Sequence, residues 1–227
     1  MDISPDTIIY YEWGAIKLNA TIVFTWLVMA ILVIGSWLIT RNLTADPDMA
    51  PGQNFLEAIV EMVRNQIREI GQQEAERYLA FIGTLFIFIA FANLLAIVPG
   101  YQPPTGSLST TAALAICVFV AVPLYGISRL GFVEYLKQYL RPNPIMLPFN
   151  IIGELSRTLA LAVRLFGNVM SGTMIAAVLI SIVPLFFPIV MQLLGLITGF
   201  IQAYIFAVLA MVYIASATRV QGKDDDQ

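Results

Sequence analysis

The placement of the charged residues constrains this chain most, because it leaves three long stretches with none. Residues 18–40, 78–128 and 165–218 contain no Asp, Glu, Lys or Arg. Only 12% of the chain is charged and 59% is hydrophobic, whereas soluble proteins carry about 25% charged residues. Most of the surface therefore does not face water, and the sequence predicts an integral membrane protein.

The uncharged stretches predict five transmembrane helices within one membrane domain, residues 1–227. A hydrocarbon core about 30 Å thick needs about 20 apolar residues per helix. Pro99-Gly100 and Pro103 to Gly106 break the second stretch, and Pro184 and Pro188 break the third. The predicted spans are residues 18–40, 78–98, 110–128, 148–183 and 189–218.

The polar segment between the first two spans predicts an amphipathic helix at residues 52–70. Apolar residues recur every three or four positions, as in a helix that lies at a membrane surface or against a partner. This apolar set is Phe55, Leu56, Ile59, Met62, Val63 and Ile67. The other polar connection, residues 129–148, is interpreted as a loop, so the predicted fold class is all-α.

The basic residues predict the orientation of the chain in the membrane. They occupy alternate connections, at Arg41, Arg64, Arg68, Arg77, Arg129, Lys137, Arg141, Arg219 and Lys223. The connections near residues 99–110 and 182–190 carry none. By the positive-inside rule the C-terminus is cytoplasmic, and the N-terminus, where Lys17 is the one basic residue, lies outside.

The last two predicted helices are too long to cross a membrane upright. As helices, residues 148–183 and 189–218 would measure about 54 Å and about 45 Å, against a core of about 30 Å. We therefore expect both to tilt steeply. A steeply inclined hairpin of this kind suits the side of a cylinder better than the inside of a bundle.

Arg164 is the one charge of this hairpin that lies near the bilayer midplane, because Glu154 and Arg157 lie closer to the start of its first helix. A central arginine costs about 2.5–3.5 kcal/mol on insertion scales. It lies too far from either helix end to snorkel, and there is no Asp or Glu between Arg157 and Lys223. Glu154 is ten residues away on a different face of the helix. A structural ion pair is the alternative, but these distances favour a partner carboxylate on another chain.

Polar and small residues accompany Arg164 on both helices of the hairpin. On its own helix, Arg157, Asn168 and Ser171 share its face. A matching stripe on the return helix contains Gly195, Thr198, Gly199 and Gln202. Counted from a turn near residue 186, Asn168 and Gln202 lie at similar depths, so we expect both to position the arginine. Ordinary interhelical hydrogen bonding is the alternative.

Residue types that the sequence lacks exclude several kinds of chemistry. Without histidine there is no histidine-ligated metal, haem or Ser-His-Asp triad. The single cysteine, Cys117, excludes an internal disulfide and is expected to be a small buried apolar side chain. No phosphate-binding glycine loop is present. We therefore expect no cofactor, metal, nucleotide or nucleic acid on this chain.

The run from Ala162 to Asn168, AVRLFGN, is similar to the signature of subunit a of F-type ATP synthases. Residues 200–209 resemble the last-helix motif of that family, with its glutamine at Gln202. Residues 93–99, followed by Pro103-Pro104-Thr105, resemble the end of its third helix and the next outer loop. The order, length and charge pattern agree over nearly the whole chain.

The resemblance implies an ion-translocating stator, a subunit without catalysis of its own, that couples ion flow to ATP synthesis or hydrolysis. The expected partners are a ring of rotor hairpins (subunit c), peripheral stalk subunit b, the rest of the synthase and the lipid bilayer. Arg164 corresponds to the family arginine that faces the rotor carboxylates and keeps two half-channels apart. The expected location is a bacterial plasma membrane, with a thylakoid membrane as the alternative. By resemblance, residues 52–70 and 129–141 are candidates for contacts with the stalk.

Two departures from the family pattern affect the half-channels. Thr173 replaces a frequent glutamate, and Gly195 occupies a position that is titratable in some members. The outer half-channel therefore looks neutral, and Glu154 is the one acid of the hairpin, near its cytoplasmic end. The candidate lining residues are Glu154, Ser171, Thr173, Gln192, Thr198, Ser107, Ser109 and Thr110. Either protons, carried by water, or sodium suits such a path, and the site on the ring decides which.

Two alternatives belong to other functional classes. An unrelated secondary transporter usually shows internal repeats and broken helices, whereas this sequence has five spans, no visible repeat and an unpaired arginine. A structural subunit of another membrane complex would explain the amphipathic helix and the acidic tail, Asp224 to Asp226. This alternative does not explain the position of Arg164 within the membrane.

Overall fold

The computed structural model describes residues 6, 9–13, 16–41, 51–70, 75–98, 100–140, 146–182 and 187–218. Its helices are α1 (Ala20–Thr40), α2 (Pro51–Glu69), α3 (Ala75–Leu94), α4 (Leu108–Leu130), α5 (Phe132–Leu140), α6 (Met146–Ile182) and α7 (Phe187–Thr218). Short 3-10 helices, Leu95–Ile97 and Pro104–Gly106, lie between α3 and α4. Two antiparallel strands, β1 (Ile9–Trp13) and β2 (Ile16–Asn19), precede α1.

Five of these helices are long and apolar enough to cross a membrane: α1, α3, α4, α6 and α7. This confirms the predicted all-α membrane fold with five spans. At 1.5 Å per residue, α6 is about 55 Å long and α7 about 48 Å. Both observed helices are therefore longer than a membrane core is thick, as expected from the sequence, and an upright hairpin would not fit within it. The predicted breaks at Pro99 and Pro184 lie outside the described residues, as do Asp224 to Asp226, Arg141, Arg219 and Lys223.

Two elements differ from the sequence-based expectation. The strands β1 and β2 were not predicted, because each is too short to show an alternating pattern before the first span. The loop predicted at residues 129–148 is wrong for Phe132–Leu140, which form α5. Gly131 takes a φ of +84°, which ends α4, and the chain begins a new helix at once. That helix is amphipathic: Tyr135 is buried, while the Glu134 and Lys137 side chains are exposed.

One apolar core joins α3, α4, α6 and α7, with one edge of α2. Small side chains on α7, at Ala203, Ala207 and Ala210, let neighbouring helices approach closely. The largest fully buried side chains include Tyr78, Ile89, Leu161, Leu165, Phe206, Met211 and Ile214. This core fixes which faces of α6 and α7 point inward, and so which faces remain for partners.

The first span stands at the edge of the bundle. In α1 the buried residues are Ala20, Thr21 and Val28, while large side chains such as Trp26 and Val33 are exposed. An apolar surface of this kind belongs against lipid. Cys117 also lies on an exposed face, that of α4, so the expectation that it is buried was wrong.

The bundle has two distinct ends, which we call the loop end and the basic end. At the loop end, the Gln192 amide of α7 donates to the Ala96 and Ile97 carbonyls, 3.0 and 3.2 Å away, just after α3. At the basic end, the Arg77 guanidinium of α3 donates to the hydroxyl and carbonyl of Ser128 in α4. The loop end carries Pro104–Gly106 and the strands, and the basic end carries α5.

Candidate functional site

Arg164 stands at the centre of α6, with eighteen residues before it in the helix and eighteen after. Its side chain is exposed. Among the described residues it has no hydrogen bond and no ion pair. The chain therefore presents a positive charge at mid-helix that nothing in its described part neutralises.

The neighbours of Arg164 explain why it points outward. Leu161 and Leu165 are 1% and 0% exposed and belong to the core, so that side of α6 faces inward. Val163 is exposed, and a methyl group added at Gly167 or Gly172 would meet no atom within 4 Å. Arg164 thus lies on an open, mainly apolar face with room for the backbone of a partner helix.

A hydrogen bond near the arginine sets the register of the hairpin. The Asn168 amide of α6 donates to the Thr198 carbonyl of α7 at 3.2 Å. Because α6 and α7 run antiparallel, the residue one turn back on α6 is level with the residue one turn on along α7. Arg164 is therefore level with Gln202. The depth match predicted for Asn168 and Gln202 is shifted by one turn.

Gln202 faces the interior and not the open face. Its side chain is 5% exposed, and its Nε2 has no hydrogen-bond partner among the described residues. An unpaired amide hydrogen costs about 1–3 kcal/mol in a buried site. Gln202 thus keeps a free donor in the interior, at the depth of Arg164.

The small and polar residues predicted to form one stripe on α7 contact two different helices, α6 and α3. Thr198 meets α6 through Asn168, whereas Gly199 packs on α3. A Cβ at Gly199 would lie 2.9 Å from the Cβ of Asn93. The Asn93 amide donates to the Gly199 carbonyl at 3.1 Å and accepts from the Thr105 hydroxyl at 2.7 Å. Gly199 therefore allows this contact and does not face a partner across the hairpin.

These contacts form a buried polar track from the loop end towards the arginine. Ser107 and Thr105 are each 0% exposed, and Asn93 is 5% exposed. The turn that carries them also reaches α6, because a Cβ at Gly106 would lie 3.4 Å from Cγ1 of Val169. Sequence reasoning proposed Ser107 for this region. It did not propose Asn93 and Thr105, although both belong to the motif that carries the family resemblance.

Several other proposed channel residues make local contacts. The hydroxyls of Ser171 and Thr173 donate to carbonyls of their own helix, at Asn168 and Met170. The Thr198 hydroxyl does the same at Leu194 and Gly195. The Gln192 amide donates to the carbonyls just after α3, as described above. Thr110 is half-buried, and the hydroxyl of exposed Ser109 lies 2.6 Å from that of Ser107.

A second polar region lies between α4, α6 and α7, nearer the basic end. Here a cleft is lined by Glu154, Arg157, Thr158, Tyr213 and Ser216, with Val118, Phe119 and Val122. Glu154 is half-buried. The guanidinium of Arg157 lies 5.8 Å from the centre of the Tyr213 ring, a cation–π distance. Arg157, predicted to share the stripe of Arg164, is therefore held against α7.

Comparisons with known proteins agree on one family. A family profile described as ATP synthase A chain matches residues 22–215. The chain is 66% identical to ATP synthase subunit a 2 of Acaryochloris marina, over 97% of this chain and 94% of that one. It is 64% identical to ATP synthase subunit a 1 of Crocosphaera subtropica, over 97% and 96%. It is 60% identical to ATP synthase subunit a 1 of Chlorobaculum parvum, over 98% and 99%.

Proposed function

Since this chain belongs to the ATP synthase subunit a family, we propose that it is the ion-translocating stator of a rotary motor, with Arg164 facing the rotor carboxylates. As a subunit a, it is a multi-pass membrane protein of the Fo sector and part of an F-type complex. Membership of this family sets aside the two alternatives, a secondary transporter and a subunit of an unrelated complex.

The observation that carries the proposal is the exposed guanidinium at the centre of α6, which has no partner in the described part of the chain. A charge near the midplane of a bilayer requires a partner of opposite sign. The open face around Arg164 leaves room for a rotor helix that brings a carboxylate to it. Two α6 glycines with open space, Gly167 and Gly172, lie three and eight residues further along the helix.

In the proposed mechanism, Arg164 releases the ion from each arriving rotor carboxylate. Its positive charge favours the ionised carboxylate, which pairs with it briefly and then moves on. A guanidinium suits this task because it does not lose its proton in proteins, whereas a lysine does so when buried. Each elementary charge that crosses the membrane contributes about 2.3 kcal/mol per 100 mV, and this energy drives the rotation.

The two polar regions are the proposed half-channels. The outer one follows the track from Ser107 through Thr105 and Asn93, with Thr110, Ser171, Thr173, Gln192 and Thr198 around it. The inner one is the cleft that contains Glu154. Asn168 joins the helices one turn from Arg164, and Gln202 offers its free amide at the same depth, so both position the arginine and the waters beside it.

The proposed orientation places the loop end outside and the basic end, with the C-terminus, in the cytoplasm. The charge asymmetry between the connections supports this, because basic loops stay on the cytoplasmic side. A bacterial plasma membrane is the proposed location, with a thylakoid membrane as the alternative. The ring of subunit c would stand against the open face of α6, and subunit b would contact α2 and α5.

The coupling ion is a proton or sodium, and the site on the ring decides between them. ATP-driven transport by the whole complex, measured with and without sodium and with an uncoupler, separates the two. Proton coupling gives a pH gradient that the uncoupler abolishes. Sodium coupling gives sodium uptake that continues in its presence.

Substitution of Arg164 tests the proposed function. We expect Arg164→Ala to abolish both gradient-driven ATP synthesis and ATP-driven ion transport in proteoliposomes that contain the assembled complex. The matched control is Arg41→Ala, which removes another exposed arginine, one that lies 5.4 Å from the ring of Trp37 at the end of α1. The proposal is wrong if the Arg164→Ala complex still synthesises ATP from an ion gradient.

A further inference from the structure

Arg157 places a second positive charge on α6, at the cleft near the basic end. It lies seven residues before Arg164, about 10 Å along the helix axis. Its side chain is exposed, and within the described part of the chain it forms no ion pair. The contact that holds it is with the ring of Tyr213 on α7, whose centre lies 5.8 Å from the guanidinium. A cation is therefore held beside the route between Arg164 and the basic end.

The walls of this cleft combine apolar side chains with hydroxyl groups. The Thr158 hydroxyl donates to the Glu154 carbonyl at 2.9 Å. The Ser216 hydroxyl donates to the Tyr213 carbonyl at 2.8 Å. Because each hydroxyl donates its proton to its own helix, its oxygen is left to accept from water or to bind a cation. The cleft therefore suits a hydrated cation. The apolar wall comes from α4, with Val118, Phe119 and Val122.

Two opposite charges determine the electrostatic potential in the cleft. Glu154 and Arg157 both line it and are three residues apart, so they are neighbours on the surface of α6. The other two walls, α4 as far as Ser128 and α7, carry no charged residue. Helix α5 carries Glu134 and Lys137, whose side chains are 3.6 Å apart and largely exposed. The carboxylate in the cleft attracts a cation, and the guanidinium beside it opposes that attraction.

We propose that Arg157, held in place by Tyr213, limits the uptake of cations from the basic side into the inner half-channel. This inference rests on the function proposed above. A fixed charge in a cleft changes the local concentration of ions. Here the guanidinium lowers the concentration of cations that the Glu154 carboxylate alone would attract. Arg157 thus tunes the access of ions, whereas contact with the rotor carboxylate belongs to Arg164.

The positive charge in the cleft has a directional consequence. During ATP synthesis, ions leave the rotor through this cleft, and a guanidinium there favours their release to the basic side. During ATP-driven transport, ions enter through the same cleft, and the guanidinium raises the concentration that half-saturates the rate. Arg157 therefore favours synthesis over ATP-driven transport when cations are scarce on the basic side.

The test measures ATP-driven transport by the whole complex in proteoliposomes. ATP added to the medium drives only complexes that expose their nucleotide sites to it, and in the proposed orientation the basic end faces the same side. The rate is measured against sodium in the medium at fixed pH, and against pH without added sodium. In the arm that matches the coupling ion, we expect Arg157→Gln to lower the half-saturating concentration about fivefold, with an unchanged maximal rate. Arg157→Lys, which keeps the charge, should resemble wild type.

Further variants separate an electrostatic role from a structural one. Glu154→Gln removes the opposite charge and should raise the half-saturating concentration. Tyr213→Phe keeps an aromatic ring beside the guanidinium and should leave the curve unchanged. Tyr213→Leu releases the guanidinium and should lower the half-saturating concentration, by less than Arg157→Gln. The matched control is Arg41→Gln, which removes an arginine at the end of α1, outside the cleft, and should leave the curve unchanged.

Other outcomes overturn the inference and leave the proposed function standing. Superimposable curves for Arg157→Gln and wild type refute it, even though Arg164→Ala abolishes transport. Shifts in the same direction for Arg157→Gln and Glu154→Gln, or a lower maximal rate and melting temperature without a shift, show that Arg157 is structural only. If Arg157→Gln does not assemble, Tyr213→Leu carries the test, and a curve equal to that of Tyr213→Phe refutes the proposal.

Discussion

The absence of a side chain at Gly199 determines how closely α3 and α7 pack. The amide of Asn93 reaches the Gly199 carbonyl because no side chain stands between them. Interhelical hydrogen bonds of this kind contribute about 0.6–2 kcal/mol in membranes. The same approach keeps the Thr105 hydroxyl bonded inside the bundle. One glycine thus supports two buried polar side chains, Asn93 and Thr105, on the track to Arg164.

We predict that Gly199→Ala destabilises the protein by about 1–3 kcal/mol, the usual cost of overpacking. The new methyl group would lie 2.9 Å from Cβ of Asn93, which must move and lose its bond. The melting temperature of the purified complex should fall by about 2–4 °C per kcal/mol. Gly83→Ala on α3, where a methyl group meets no atom within 4 Å, is the control and should cause no loss. Equal stability of both variants would contradict the packing described here.

For single residues, the sequence predicts the lack of a charged partner better than it predicts contacts between side chains on different helices. The isolation of Arg164 could be predicted because it depends on a count: no acid exists between residues 158 and 222. The inward direction of Gln202 and the bond between Asn93 and Gly199 could not, because the register between helices does not appear in one sequence. The hydrogen bond between Asp6 and Ser107 was missed for the same reason, since it joins residues 101 positions apart.

The short helix α5 shows how elements depend on one position. Gly126 of α4 faces the ring of Tyr135, and a Cβ there would lie 2.5 Å from its Cε2 and 3.3 Å from the Ala217 carbonyl. The contact between the Tyr135 ring and Gly126 thus packs α5 against α4 at the basic end. The Glu134 and Lys137 side chains of α5 are 3.6 Å apart but largely exposed, so their pair adds little.

We predict that Gly126→Ala loosens α5, because the Tyr135 ring has to leave its place. A loss of about 1 kcal/mol raises the population of the detached helix about fivefold. Trypsin cleavage after Lys137 in the detergent-solubilised complex should accelerate by that factor. Gly83→Ala again serves as the control. Unchanged cleavage in Gly126→Ala would show that this contact does not hold α5.

The spans were predictable because runs of uncharged, apolar residues determine them directly. The element α5 was not, because its nine residues contain two charges and its helical form depends on packing against α4. The strands before α1 were missed because a short hairpin carries little periodic signal. Amphipathic α2 shows the opposite case, since nineteen residues give a clear period of 3.6.

The whole molecule is a bundle with one side left open. The core uses the inner faces of α6 and α7, and their outer faces keep large exposed side chains such as Leu159, Ile175, Leu193 and Ile197. Helices of about 48 and 55 Å in a core of about 30 Å must incline, which suits the flank of a ring. Arg164 lies midway along that face, so the shape and the charge favour the same partner.

The most direct test of this account is a cross-link between position 164 and the rotor. Arg164→Cys is combined with a cysteine at the rotor carboxylate, in a Cys117→Ser background because Cys117 is exposed. A short bis-maleimide reagent is needed, since a disulfide requires Cα atoms within about 7 Å and an arginine reaches further. Leu165→Cys, at nearly the same depth but 0% exposed, is the control. The account predicts a product of this chain with one rotor subunit from position 164 and none from position 165. No product from position 164, or equal yields from both, would contradict it.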